Sequence, residues 1–137
     1  MFENNDEEFI KIITNVRKQL DKCKIDIHNY KLRNMWINDL HFLIFDSDLF
    51  LKIFYVLYDN LFHKQLVNST SKYIISVYLI CIQLFSDISI NYIYIIKLMK
   101  TCCRDHENLS PKMIKQTITS ILKKTNYNIY NDIFKIK

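Results

Sequence analysis

Tyr73-Ile74-Ile75-Ser76-Val77-Tyr78-Leu79-Ile80-Cys81-Ile82-Gln83-Leu84-Phe85 is the stretch whose reading decides the fold. It is apolar almost all round and rich in β-branched residues, so in isolation it reads as a buried strand. Its length, and the capping residues Asn68-Ser69-Thr70 before it, point instead to a helix. A helix apolar on every side belongs at the centre of a bundle. It opens the longest apolar stretch of the chain, Tyr73 to Met99, which Asp87 and Lys97 interrupt. The uncharged run Tyr73–Ser86 has 14 residues, short of the roughly 20 that span a bilayer. The chain closes on Lys135-Ile136-Lys137 with no apolar tail, so no membrane anchor is expected.

Working outward, Asp87 and Ser89 punctuate the chain. A fifth helix is expected from about Ile90 to Cys103, with Ile93 and Ile96 inward and Met99 a further candidate. Upstream, Asp46-Ser47-Asp48 supplies a break and caps for a third helix reaching about Leu66, with Phe50, Ile53, Phe54, Leu57 and Leu61 on its buried face. A second helix, about Asp26 to Phe45, has a looser pattern through Ile27, Tyr30, Trp36, Leu40 and Leu43. The first, about Asp6 to Leu20, is clearest. Asn5 or Asp6 caps it, acidic residues fill the positive end of its dipole, and Phe9, Ile12, Ile13, Val16 and Leu20 form one stripe. Downstream, Arg104–Leu109 is a polar loop. Ser110-Pro111 then starts a sixth helix carrying Ile114, Ile118, Ile121 and Leu122 and ending near Lys123-Lys124. A short final segment runs from Tyr127 to Ile136. No linker or repeat divides residues 1–137, so the expectation is one all-α domain, six or seven helices around a highly apolar central pair.

Composition excludes several functional classes. The chain is half hydrophobic and a quarter charged, an ordinary globular balance, yet it contains no glycine, no alanine and one proline. Phosphate-cradling P-loops, Rossmann fingerprints and glycine-framed nucleophile elbows all need glycine. Bulky residues without Ala or Gly also hold helix axes towards the wide end of the usual spacing. Ile, Phe, Tyr, Asn and Lys replace them, which reads as coding bias from an A/T-rich genome. The net charge of +5 is uneven, with Glu3, Asp6, Glu7 and Glu8 at the start and Lys112, Lys115, Lys123, Lys124, Lys135 and Lys137 at the end. Lysine outnumbers arginine sixteen to three. Arginine is the residue that forks onto phosphates and base edges, so nucleic-acid binding is disfavoured. An acidic rather than basic-then-apolar start argues against secretion, and Cys23, Cys81, Cys102 and Cys103 are expected to be reduced.

Constellations with chemical potential are few. Cys102, Cys103 and His106 have zinc-binding donor types, but Cys23 and His28 lie far off in sequence and two well-spaced pairs are not formed. No local arrangement pairs a cysteine with His41, His63 or His106 as a nucleophile and base. Asp46 and Asp48 around Ser47 read as caps, and Glu7 and Glu8 as dipole partners. Tyr73, Tyr78, Tyr92 and Tyr94 on the central helices need hydroxyl partners or a path to the surface. Trp36 is a candidate for either core or surface. No catalytic residue, cofactor or metal is expected, and the chain reads as a binding protein.

The Ile-rich helix running into Cys102-Cys103, the polar loop, the sixth helix and then Asn126-Tyr127-Asn128-Ile129-Tyr130-Asn131-Asp132-Ile133-Phe134 resemble the C-terminal third of the poxvirus Bcl-2-like proteins. Tyr30 to Trp36, with Arg33-Asn34, is a weaker echo. These are small virulence factors that block host innate signalling or apoptosis. The cellular family's Gly-Arg groove signature cannot occur here, so the resemblance implies the soluble branch. That branch binds host adaptor or kinase proteins upstream of NF-κB and interferon induction, in the host cytoplasm. Several of its members pair through their first and sixth helices, which implies a homodimer face here on Phe9, Lys11, Arg17, Lys112, Lys115 and Thr119. Two alternatives stay open: an apoptosis inhibitor holding pro-apoptotic helices in a groove between its second to fifth helices, and a basic helical nucleic-acid-binding or virion protein.

Overall fold

The structure is a computed structural model that describes residues 6–23, 47–85, 93, 96–97 and 109–126. Four helices lie in these residues: α1 (Asp6–Cys23), α2 (Ser47–His63), α3 (Ser71–Phe85) and α4 (Pro111–Lys124). No strand occurs among the described residues, and the protein is all-α there. The helix expected over 26–45, the segment 127–136 and the Cys102, Cys103 and His106 cluster lie outside the described residues, as do Trp36, Tyr92 and Tyr94.

The decisive stretch is helical and central. Every residue from Ile74 to Ile82 is fully buried. At about 3.6 residues per turn such a run has no solvent-facing side, so α3 must be enclosed rather than laid on a surface. α2 packs on it, α4 packs on it, and α1 packs in turn on α2. Ser76, the polar residue of the run, donates its hydroxyl to the Lys72 carbonyl at 2.6 Å, which satisfies it inside its own helix. The strand alternative fails on the backbone, which is helical from Ser71 to Phe85; burial alone fits a strand covered on both faces equally well.

Aromatic packing locks α2 onto α3. Phe54 meets Tyr78 at 5.8 Å between ring centroids and Phe50 meets the same tyrosine at 5.2 Å, both edge to face. Phe54 also lies 6.0 Å from Tyr58 and 5.9 Å from Tyr55 on its own helix. The expected buried face of α2, Phe50, Ile53, Phe54, Leu57 and Leu61, is buried throughout. The Tyr58 hydroxyl donates to the Asn68 carbonyl at 2.6 Å and so ties α2 to the turn that launches α3. In that turn the Asn68 side-chain oxygen accepts from the Thr70 backbone N–H at 3.1 Å and hydroxyl at 2.7 Å.

Element ends differ from the sequence expectation in two places. α1 runs on to Cys23 instead of stopping near Leu20, because exposed Asp21 and Lys22 extend it and no breaker intervenes. α2 stops at His63, not near Leu66. There Gln65 adopts φ 61°, its N–H reaching the Phe62 carbonyl and the Leu66 N–H reaching the Leu61 carbonyl, both at 3.0 Å. This is the six-to-one and five-to-two pairing of a Schellman cap, with glutamine where glycine is usual. Leu66 folds back onto the core, so the apolar pattern continues after the helix has ended.

α1 joins the assembly through Val16 and Leu20, which are buried, and Phe9, Ile12 and Ile13, which are half-buried. The Asn15 amide donates to Asp59 of α2 at 2.7 Å, a directional bond beside the apolar stripe.

Two consequences are measurable by urea denaturation. Phe54→Ala should cost about 3–5 kcal/mol, the range for emptying a buried aromatic site. Gln65→Gly should stabilise. Relief of the left-handed backbone at roughly 1–2 kcal/mol exceeds the glycine entropy of roughly 0.5–1, leaving a net gain of about 0.5–1 kcal/mol.

Candidate functional site

An open groove lies on the described surface, and α4 builds most of it. Ser110 sets the start of that helix. Its backbone is extended (φ −108°, ψ 151°) and its hydroxyl oxygen accepts from the Met113 N–H at 3.1 Å, with Pro111 entering the first turn. Ile114, Thr117, Ile118 and Ile121 turn inward, and the Thr117 hydroxyl donates to the Met113 carbonyl at 2.8 Å. The core-facing side is therefore filled by Ile114, Ile118 and Ile121, as their spacing predicts, with Leu122 half-buried at its margin. At the far end Thr125 caps the helix and Asn126 takes φ 52°, a second left-handed position filled without glycine.

Once that stripe is buried, Lys112, Lys115, Gln116 and Thr119 share the opposite side, all exposed. Together with Pro111 and Ile93 they line an open groove of about 620 Å³. Residues three and four apart are neighbours on a helix surface, so the two lysines, the amide and the hydroxyl form one continuous wall. Lys112 and Lys115 make it cationic. The first turn of α4 holds no acidic side chain, so the positive end of the helix dipole adds to the lysines.

Ile93 corrects the sequence reading. The fifth-helix pattern put it inward with Ile96, and Ile96 is indeed buried, but Ile93 is 54% exposed. Three residues apart, the two side chains sit close to 60° from each other around a helix, which allows one to face the core and the other the groove. Apolar identity alone did not separate them.

The expected pairing face falls into two groups. Lys112, Lys115 and Thr119 come together on the groove wall. Phe9, half-buried, and Lys11 and Arg17, both exposed, belong to α1, which among the described helices packs on α2. Ile93, Pro111 and Gln116 are the groove residues that sequence reasoning missed. Gln116 was legible, lying four residues after Lys112 and three before Thr119.

Other reactive side chains have structural roles. Asp59 accepts from Asn15, and His63 Nδ1 lies 2.8 Å from the Asp59 carbonyl oxygen and 3.5 Å from its carboxylate. Among the described residues no group of three His, Cys, Asp or Glu side chains is placed to hold a metal ion, and no helix is long and apolar enough to cross a membrane. Cys81 is fully buried in α3, and burial pushes its thiol far above the ordinary cysteine range. The thiolate is the reactive form, so this sulfur is inert while the fold is closed. With Cys23, Cys102 and Cys103 replaced by serine, labelling of Cys81 by a thiol reagent should follow global unfolding and accelerate with urea. Rapid labelling in native buffer would contradict its enclosure.

No protein-family model, no curated protein and no solved structure matches this chain.

Proposed function

We propose that this chain is a protein-binding inhibitor of host innate signalling, acting without catalysis, and that the exposed side of α4 is its binding surface. The observation that carries this reading is the groove of about 620 Å³. It places exposed Ile93 and half-buried Pro111 beside Lys112, Lys115, Gln116 and Thr119. Apolar area within a polar, charged rim is how protein interfaces are built. The resemblance to the poxvirus Bcl-2-like proteins supplies the partner class: a host adaptor or kinase upstream of NF-κB or interferon induction, in the host cytoplasm. It also supplies the homodimer, for which Phe9, Lys11 and Arg17 on α1 and Lys112, Lys115 and Thr119 on α4 are the pairing residues.

One specific observation favours a second reading, nucleic-acid binding: Lys112, Lys115, Lys123 and Lys124 are all exposed on α4. It differs from the first in its salt response, because phosphate contacts weaken steeply as salt rises.

Expression in host cells carrying an NF-κB or interferon-promoter reporter tests the leading reading. The wild-type chain should suppress the stimulated reporter, and Lys112→Glu with Gln116→Glu should abolish most of that suppression while the thermal unfolding midpoint stays unchanged. Suppression by the double variant equal to wild type would remove α4 as the binding surface. An unaffected reporter, with salt-sensitive retention on DNA lost in the same variant, would favour the second reading.

A further inference from the structure

We propose that α1 is a displaceable strap: it undocks from α2 while α2, α3 and α4 stay folded. This motion is independent of what α4 binds.

Burial is spread unevenly over the helices. Ile74 to Ile82 of α3 are fully enclosed, and α2 buries its five-residue stripe together with Tyr55 and Tyr58. Over residues 7–22 of α1, only Val16, Gln19 and Leu20 are buried, while Phe9, Ile12 and Ile13 are half-buried. Elements that hide few side chains open locally at a lower free energy than the whole molecule unfolds. By that measure α1 has the least to lose.

One of its three buried side chains is also poorly served by docking. Gln19 is 5% exposed, and its side-chain oxygen Oε1 has no hydrogen-bond partner. In the undocked helix water satisfies that oxygen, so opening recovers the desolvation that docking imposes.

Connectivity confines the opening to α1. Among the described helices it packs on α2, whereas α3 is held by α2 and α4. Loss of α1 therefore leaves Phe50 and Phe54 against Tyr78. Loss of α4 instead uncovers α3, which has no polar face to offer water. A directional tie holds α1 in register: the Asn15 amide donates to Asp59 at 2.7 Å. Asp59 also lies 3.5 Å from His63 Nδ1, a pair within α2 that persists without α1. Undocking exposes the α1 stripe and the side of α2 that carries Asp59, so the chain presents new apolar surface without giving up its core. Any ligand that prefers the open form draws the chain towards it by its difference in affinity.

Native-state hydrogen exchange on the full chain, followed by residue at rising urea, tests this. Hydrogen-bonded amides of α1 should be less protected than those of α3. Their urea dependence should also be shallower, because a smaller surface is uncovered. Ile114→Val trims the fully buried inward side of α4, which stays packed in the open form. It should lower protection in α3 several-fold and leave α1 unchanged. Gln19→Met, similar in length and free of the stranded oxygen, should raise protection in α1 about tenfold, equivalent to 1.4 kcal/mol. Asn15→Asp sets a second carboxylate against Asp59 and should lower it.

Equal protection and equal urea dependence in α1 and α3 overturn the proposal. An Ile114→Val effect of the same size in both helices does so too, since α1 would then open only when everything does. Unchanged α1 protection in both Gln19→Met and Asn15→Asp overturns it as well.

Discussion

Enclosure of Ile74 to Ile82 on every side is the constraint from which the described architecture follows. A helix with no polar face cannot be stable until neighbours cover it, so its partners are obligatory parts of one core rather than ornaments upon it. α2 and α4 each present a filled apolar stripe to it, and α1 is held at one remove through α2. Each buried Leu, Ile or Phe contributes about 1.5–3 kcal/mol relative to exposure, and ordering of the chain offsets most of that sum. The edge-to-face contacts of Phe50 and Phe54 with Tyr78 then supply orientation. They tell α2 and α3 how to sit, which apolar area by itself does not.

The absence of glycine takes a different meaning once the backbone is visible. Among the described residues two turns need left-handed residues, and Gln65 and Asn126 fill them. Asparagine visits that region readily; glutamine does so at a cost that the closing hydrogen bonds and the return of Leu66 to the core must offset. The turn chemistry is therefore intact while its usual sequence marker is gone. Helix ends are hard to read in such a chain. The end of α2 is an instance, since Leu66 keeps the apolar rhythm going beyond the cap at His63.

What was legible divides along the same physical line. Burial-driven features were plain: the stripe of α1, the five inward residues of α2, the central place of α3, and the Ser110-Pro111 start of α4 each follow from spacing or a local cap. Features that depend on which neighbour arrives were not. Ile93 and Ile96 have the same side chain and adjacent turns, yet one is covered and the other lines a groove. Lys112, Lys115 and Thr119 were readable as one helix face. That this face forms a wall with Ile93 is a tertiary fact, set by how two segments meet.

The segment that organises the core is also the one the chain can least safely expose. Residues 73–85 hold no charged residue, no proline and no glycine, and they are dense in isoleucine, valine and tyrosine. This is the composition that stacks into cross-β assemblies when unprotected. Lys72 precedes it as a lone gatekeeper, and its ammonium lies 4.9 Å from the centre of the Tyr73 ring rather than apart from the run. Native packing is thus the main guard against aggregation, and a nascent chain remains vulnerable until α4, the last of the described helices to be made, arrives to cover α3. Solubility in this protein is a matter of folding order as much as of surface charge.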